Sequence, residues 1–154
     1  MQRVTNCFLH DTKDVLLLQK PSRNWWVPPG GKMESGESVR DAVVREYREE
    51  TGLSLLHPAL RGIFTFLVMD ERHLLSEWMM FSFEARSSRG RVLDQSPEGK
   101  LELVPVERTA GLPMAEGDRA IFRHVLEDTG ILYGTFHYDR DFHLLHSRFD
   151  KEEL

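Results

Sequence analysis

The sequence predicts an α+β fold in which a mixed β-sheet lies between helices. Two kinds of segment support this class: short stretches rich in β-branched, aliphatic and aromatic residues, and two stretches with helical periodicity. The two kinds do not alternate regularly, as they would in a protein built from βαβ units. With 154 residues the chain can form a substantial core, and we expect one domain over residues 1–154.

The predicted elements follow from local patterns in chain order. A polar turn separates the first two strands, and a loop rich in Trp, Pro and Gly leads into a helix that ends near Thr51. A second helix is predicted over 117–128, with its apolar residues facing inward. Segment 87–100 is rich in Ser, Gly and Pro and predicts a mobile loop. The predicted strands span 4–9, 15–19, 60–69, 77–85 and 101–106, and a closing hairpin pairs 131–138 with 142–149.

Composition and charge exclude several classes of protein. The formal net charge of −5 disfavours a protein that holds long nucleic acids on a basic surface. The N-terminal residues lack the apolar run of a secretory signal, and no apolar stretch approaches the length of a membrane span. The single cysteine, Cys7, offers no disulfide framework and suits a reducing compartment. We therefore expect a cytoplasmic protein with no membrane or long nucleic-acid partner.

The first predicted helix carries an acidic stripe that continues an apolar one. Glu46, Glu49 and Glu50 have i, i+3, i+4 spacing and share a helical face with Val39 and Val43. An apolar face turns toward the protein, where unpaired carboxylates are costly and a hard divalent cation such as Mg²⁺ offsets their charge. The charge pattern alone also allows a solvated acidic helix with ordinary i,i+4 ion pairs, so both interpretations remain open at this point.

The flanks of this stripe favour a helix with a close-approaching loop before it. Ser38 and Asp41 have the spacing of a capping box, and Gly52 stands where a helix needs a left-handed stop. Residues 28–31, Pro-Pro-Gly-Gly, form a rigid loop that lets the backbone approach a ligand. A phosphate-binding P-loop is not predicted at Lys32, because the glycine it needs upstream is missing.

The whole stretch 31–53, GKMESGESVRDAVVREYREETGL, resembles the Nudix box. The family pattern is G-x5-E-x7-R-E-U-x-E-E-x-G-U, in which U is a bulky aliphatic residue. Every fixed position is met except the first U, which is Tyr47, a bulky residue that can still pack. The overlapping residues WVPPGGKMESGE look most like those of MutT-like members, the oxidised-nucleotide diphosphatases.

The resemblance implies a Nudix-type α/β/α sandwich and a site for Mg²⁺ or Mn²⁺. Glu98, which lies just before a predicted strand, would complete metal binding or help to deprotonate water. Arg45 would orient Glu49 rather than contact the substrate. The implied metal ligands are one backbone carbonyl and four carboxylates, from Gly31, Glu46, Glu49, Glu50 and Glu98.

The resemblance also implies contacts to a nucleotide. Trp26 would line the nucleobase pocket, Lys32 would touch a phosphate, and Asp118 would read the base. Some oxidised-purine enzymes carry an aromatic residue shortly before this acid and a polar base contact before the glycines. This chain has Ala115 and Val27 at those places, so the sequence does not separate oxidised from normal purines.

A metal-dependent nucleotide pyrophosphohydrolase is the function that the resemblance implies. It would convert a nucleoside triphosphate, oxidised or normal, to a nucleoside monophosphate and pyrophosphate, and it would act on this small molecule as a monomer or a homodimer. Two alternatives remain open: hydrolysis of another nucleoside diphosphate linked to a group X, such as a guanosine alarmone, and a non-catalytic module that senses a nucleotide. Retention of Glu46, Glu49 and Glu50 favours an enzyme.

Overall fold

The computed structural model describes residues 1–152, and over this range it contains strands, two α-helices and one 3-10 helix. The strands are β1 (Gln2–Leu9), β2 (Asp14–Gln19), β3 (Trp26–Val27), β4 (Gly30–Lys32), β5 (Leu53–Leu56), β6 (Ala59–Asp70), β7 (His73–Ala85), β8 (Ser87–Gly90), β9 (Lys100–Pro105), β10 (Ile131–Tyr138) and β11 (Leu144–Glu152). The helices are α1 (Val39–Thr51), α2 (Asp118–Glu127) and the 3-10 helix Val106–Gly111.

The main sheet has six strands in the order β11-β10-β6-β7-β1-β4. It is mixed, because β1 pairs with β7 and β10 pairs with β6 in parallel, whereas the other neighbours are antiparallel. A three-stranded sheet, β3-β2-β9, and a two-stranded sheet, β5-β8, lie beside it. The mixed sheet expected from the sequence is confirmed.

The two helices cover opposite faces of the main sheet. Successive residues of a strand point to opposite faces, and the neighbours Cys7 and Phe8 of β1 accordingly join two different cores. Phe8 packs with α2 residues such as Ile121, whereas Cys7 packs with α1 residues such as Val43 and Tyr47. All five side chains are almost fully buried, which gives the α/β/α sandwich that the resemblance implied.

Local signals at the ends of α1 act as the sequence predicts. The Ser38 hydroxyl accepts a hydrogen bond from the Asp41 backbone N–H at 3.0 Å, as a helix N-cap does. At the other end Gly52 has φ of 84° and donates its N–H to the Arg48 carbonyl. A side chain there would be strained, because L residues seldom adopt this left-handed conformation.

The prediction of a loop over 87–100 is wrong at its start. Residues Ser87–Gly90 form β8, which pairs antiparallel with β5, a strand that the sequence did not predict. Serines carry no apolar alternation, so the pairing with the buried Leu53 and Leu55 was not visible in either segment alone. The predicted strand 101–106 is also one residue too long, because Val106 begins the 3-10 helix.

Of the helices described over residues 1–152, none combines the length and the apolar composition needed to cross a bilayer.

Candidate active site

A cavity of about 730 Å³ lies where the first strands of the main sheet meet both helices and the end of β2. Its floor includes Asn6 of β1 and Met80 of β7, and Lys20 and Val27 contribute from the segment that runs from β2 to β3. The α1 carboxylates of Glu46 and Glu50 line it together with Gly31, Lys32, Glu98 and Asp118. Six residues predicted from the sequence therefore lie around one cavity.

The glycine loop brings backbone and carboxylates into close contact. Thr5 and Asn6 pair with Gly31 and Gly30, so the β4 backbone lies against β1. A Cβ atom on Gly31 would overlap the Glu46 carboxylate, and one on Gly30 would overlap the Thr5 carbonyl. The Gly30 N–H donates to Glu50 Oε2 at 3.1 Å. Only glycine leaves room for this close approach of the β4 backbone to β1 and to the Glu46 carboxylate.

Arg45 of α1 binds glutamates both before the helix and along it. Its guanidinium donates to both Glu37 carboxylate oxygens, at 2.6 and 2.9 Å, and to Glu46 Oε1 at 2.9 Å. It also donates to Glu49 Oε2 at 3.2 Å and to the Lys32 carbonyl at 3.1 Å. These hydrogen bonds fix the loop before α1 to the helix. The paired guanidinium also lowers the pKa of Glu37 to about 2, so this carboxylate stays ionised at neutral pH.

Glu50 is the buried acid of the site, with 8% of its surface exposed. Burial, which disfavours the charged form, raises its pKa to about 7, and the nearby negative charges of Glu98 and Glu46 raise it further. The Gly30 N–H acts in the opposite direction because it stabilises the carboxylate. An acid held at this pKa can exchange a proton near neutral pH, or lose it to solvent when a cation binds the carboxylate.

Glu49 has a different environment from the other two α1 glutamates. Its side chain is 57% exposed, pairs with Arg45 and does not line the cavity. Among residues 1–152, the group of three acids or histidines whose ligand atoms approach within 4.8 Å of one another is Asp139, Asp141 and His143, in the β10–β11 turn. The α1 glutamates do not form such a group, and Glu49 pairs with Arg45 instead of lining the cavity with Glu46 and Glu50.

The oxygens at the α1 end of the cavity fit a hard divalent cation. Glu46, Glu50, Glu98 and Gly31 all line this space, so carboxylate oxygens and a backbone carbonyl could hold such an ion. Mg²⁺ and Mn²⁺ prefer this set of oxygen ligands. Burial destabilises the charged carboxylate of Glu50 and so raises its pKa. A bound cation would neutralise that charge, so the same burial makes Glu50 suitable as a ligand.

Asp118 marks the other end of the cavity, at the first turn of α2. Burial raises the pKa of its carboxyl to about 7, although the positive charges of Lys20 and Arg119 act to lower it. Val27 lines the same cavity, as does Trp78, whose ring stacks on Phe66 with centroids 5.2 Å apart. This end thus combines apolar surface with a titratable hydrogen-bonding group, which suits a heterocyclic base.

The structure places Trp26 away from the position expected for a base contact. Its side chain is 7% exposed, packs in the core beneath α2 and is not among those lining the cavity. The substrate contact predicted for Trp26 therefore has no support in its position, because β3 turns this side chain inward. Trp78 lines the cavity instead, but its segment looked like an ordinary strand in the sequence.

Lys20 and Asn6 also line the cavity, and sequence reasoning missed both. Lys20 directly follows an apolar strand, where a charged residue usually marks only the strand end. Asn6 gave a stronger signal, because it occupies a core-facing position between Val4 and Phe8 in β1. A polar residue on the buried face of a strand calls for an explanation of its hydrogen bonds.

Comparison with known proteins identifies the family of this site. The chain matches the model of the NUDIX domain over residues 1–126. It is 53% identical over 154 residues to the Nudix hydrolase YvcI of Bacillus subtilis, a match that covers 100% of this chain and 98% of that relative. It also resembles the crystal structure of the mutator MutT protein from Bacillus halodurans, with 55% identity and a TM-score of 0.94, over 97% of this chain and 98% of that one.

A shorter match involves the 8-oxo-dGDP phosphatase NUDT18 of Mus musculus, which is 37% identical over 98 residues, or 62% of this chain and 28% of that protein. The family model covers most of the chain, and more than half of the residues in the full-length match to YvcI are identical. The chain therefore belongs to the Nudix family and is a Nudix hydrolase of the MutT type.

Proposed function

We propose that this Nudix hydrolase cleaves a phosphoanhydride of a purine nucleoside triphosphate, oxidised or normal, to a nucleoside monophosphate and pyrophosphate. The observation that carries the proposal is a single cavity lined both by acidic side chains of α1 and by Asp118 of α2. A nucleotide has matching ends, a polyanion that needs a cation and a base that offers hydrogen-bonding groups. The resemblance to MutT proteins and, over part of the chain, to an 8-oxo-dGDP phosphatase supports the same class of substrate.

The α1 end of the cavity would hold Mg²⁺ or Mn²⁺ through Glu46, Glu50, Glu98 and the Gly31 carbonyl, with Glu49 as a further ligand. A bound divalent cation neutralises phosphate charge and lowers the pKa of an attacking water. Because Glu49 is paired with Arg45 in this structure, it would have to exchange its ion pair for the cation. Glu46 also pairs with Arg45, through Oε1 at 2.9 Å, but its side chain already lines the cavity. Glu50 lines the cavity as well, and its hydrogen bond there is the one from the Gly30 N–H.

The chain's own groups would manage the proton and the phosphates. As the water oxygen bonds to phosphorus, the bridging P–O bond breaks and its electron pair leaves with pyrophosphate. Glu98 or Glu50 would accept the water's proton. Lys32, whose side chain lines the cavity, would contact a phosphate, and Arg45 would keep Glu46 and Glu49 in position.

This mechanism is tested with Glu49→Gln and Glu50→Gln, which replace a carboxylate by a neutral group of the same shape. We expect turnover at saturating Mg²⁺ to fall by about 10²-fold or more in each, because a cation ligand is lost. The assay compares nucleoside triphosphates, dinucleoside polyphosphates, ADP-ribose and guanosine alarmones, and it identifies the products. Near-normal turnover in both folded variants would contradict the assignment, and alarmone cleavage without triphosphate cleavage would replace the proposed substrate.

The base preference is tested at Asp118. An ionised Asp118 can accept hydrogen bonds from a guanine edge, so we expect guanine nucleotides to be preferred over pyrimidines. Discrimination between oxidised and normal guanine should be modest, since Ala115 and Val27 supply neither an aromatic nor a polar contact. The measurement is kcat/KM for 8-oxo-dGTP, dGTP and dCTP in the wild type and in Asp118→Ala. Unchanged ratios in the variant would exclude Asp118 as a base-reading residue.

A further inference from the structure

Asn6 is a buried polar residue on the floor of the cavity, and its hydrogen bonding is incomplete. It is 8% exposed and lines the cavity, yet its carbonyl oxygen Oδ1 has no hydrogen-bond partner among residues 1–152. Its amide Nδ2 donates to the Met80 sulfur at 3.2 Å. Sulfur is a weak acceptor, so this bond orients the carboxamide without satisfying the oxygen. A buried polar group left in this state is uncommon in native proteins.

The neighbouring Ser82 provides a natural comparison. It is the register partner of Asn6 on β7, it is fully buried, and its hydroxyl also lacks a partner in the described part of the chain. Ser82, however, does not line the cavity. In the free protein both oxygens are unpaired within residues 1–152 and covered, but of the two only Asn6 lines the cavity, where turning its carboxamide away from the Met80 sulfur would bring the oxygen to a ligand. This difference lets an experiment separate a structural role from a binding role.

Asn6 of β1 and Asp118 of α2 both line the cavity, and the two elements pack against each other. The Phe8 and Phe122 rings contact each other edge to face, with centroids 4.9 Å apart. Asn6 lies two residues before Phe8 on the same strand face, which is about 6.6 Å along β1. Asp118 lies four residues before Phe122 on the same helix face, which is about 6 Å along α2.

The α2 helix runs in the same general direction as β1, so Asp118 and Asn6 both lie toward the N-terminal ends of their elements from the Phe8–Phe122 contact. The N-terminus of α2 is fixed by Gly117, whose N–H donates to the Tyr138 hydroxyl at 2.8 Å. Tyr138 pairs with Val68 at the far end of β6, and β1 is antiparallel to β6 in the sheet, because it is parallel to β7. The start of α2 therefore lies toward the N-terminal end of β1, and Asn6 and Asp118 both line the cavity.

We propose that Asn6 is a second specificity-determining residue, whose carbonyl oxygen accepts a hydrogen bond from an N–H group of the bound base. Together with the Asp118 carboxylate it presents two acceptors to one ligand edge. Guanine matches this pair, since N1–H and the 2-amino group are adjacent donors, whereas thymine offers a single N–H between two carbonyls. This inference rests on the proposed function and makes the substrate class a guanine nucleotide, read by β1 and α2 together.

The incomplete hydrogen bonding of Asn6 also makes a prediction about the free protein. An unsatisfied buried carbonyl costs free energy that an apolar side chain of similar shape avoids. Asn6→Leu should therefore fold with an unchanged or higher Tm while binding a guanine nucleotide less well. Ser82→Ala should likewise fold, but it should leave base preference unchanged because Ser82 has no access to the ligand.

The experiment measures two quantities in the wild type, Asn6→Leu and Ser82→Ala. Calorimetry without metal gives the Kd of dGMP and of dTMP, and steady-state assays give kcat/KM for dGTP and dTTP. Loss of one hydrogen bond corresponds to about a tenfold loss, so Asn6→Leu should lower the dGMP affinity and the kcat/KM for dGTP by that factor, mainly through KM. The loss for thymine nucleotides should be smaller, so the guanine-to-thymine ratio should fall.

Each outcome decides between the two proposals. A wild type that prefers guanine, with Asn6→Leu retaining the ratio, overturns the role of Asn6 and leaves the proposed function intact. An equal fall of the ratio in Ser82→Ala also overturns it, because a general disturbance of the sheet would then be the cause. A wild type that neither cleaves dGTP nor binds dGMP more tightly than dTMP contradicts both. If Asn6→Leu does not fold, Asn6→Ala answers the same question with a smaller side chain.

Discussion

At the scale of single residues, Glu50 shows how the site trades stability for function. Its carboxylate is taken out of water and placed near Glu46 and Glu98, and in return it receives one hydrogen bond, from the Gly30 N–H. In the free protein this arrangement disfavours ionisation. A bound divalent cation would favour the ionised form again, because its positive charge would neutralise the buried carboxylate.

Glu50→Gln should therefore stabilise the metal-free protein at alkaline pH. The folded pKa of about 7 exceeds the ordinary value of 4.5, so the folded state holds this proton more tightly than the unfolded state. The stability contributed by the protonated acid is complete below pH 4.5 and is lost as pH rises through 7. At pH 8 with a chelator, Glu50→Gln should be more stable than the wild type by about 3 kcal/mol, and at pH 4.5 the difference should nearly vanish.

Urea unfolding at the two pH values measures this difference, and Glu49→Gln is the control. Glu49 is mostly exposed, so its substitution should not raise stability at either pH. Saturating Mg²⁺ should then stabilise the wild type more than Glu50→Gln, since the variant has lost a ligand. Equal stability of the wild type and Glu50→Gln at pH 8 would mean that the carboxylate is better solvated than its burial indicates.

At the scale of elements, the sequence predicted those whose signals are local. The N-cap at Ser38 and the stop at Gly52 bound α1 because each depends on a few adjacent residues. The strand β8 was missed because Ser87–Gly90 has no pattern of its own and exists through pairing with β5. Such pairing joins segments more than thirty residues apart, and it is not written in either of them.

The same distinction applies to the site. Glu46, Glu50 and Gly31 could be predicted to lie together because they occur within one continuous motif of fixed spacing, whereas Glu49 of the same motif pairs with Arg45 outside the cavity. The other wall of the cavity is assembled from separate elements, so Asn6, Lys20 and Trp78 acquire a shared role only when the sheet brings them together. Trp26 illustrates the reverse case. The family resemblance implied a contact to the base, but the side chain of Trp26 packs in the core.

At the scale of the whole molecule, the cavity depends on two helices that pack on opposite faces of one sheet. The α1 glutamates and Asp118 of α2 have no common element, so their separation is set by how each helix is fixed to the sheet. At the α1 side Arg45 and the glycine loop make this connection. At the far end of α2 the connection is Arg61 of β6, which is 7% exposed.

Arg61 joins the C-terminus of α2 to the sheet. Its guanidinium donates to the carbonyls of Asp128 and Gly130 at 2.8 Å, to two further carbonyls in the last turn of α2 at 3.3 Å, and to the Glu84 carboxylate. His10 lies 2.8 Å from the other oxygen of Glu84. Positive charge at a helix C-terminus interacts favourably with the negative end of the helix dipole. The guanidinium N–H groups also satisfy carbonyls that the helix leaves unpaired.

Arg61→Met should destabilise the protein by about 3–5 kcal/mol, because it leaves the largely buried Glu84 without its main partner and several carbonyls unpaired. Arg86→Met is the matched control: Arg86 lies 3.9 Å from the same carboxylate, but its side chain is 60% exposed, so its loss should cost less than about 1 kcal/mol. Urea unfolding measures both values.

Because α2 also carries Asp118, Arg61→Met should lower the guanine preference at temperatures where the variant is still folded, and Arg86→Met should not. Equal stability losses in the two variants would show that Glu84 is paired by the surface arginine and that α2 is held by its apolar face alone.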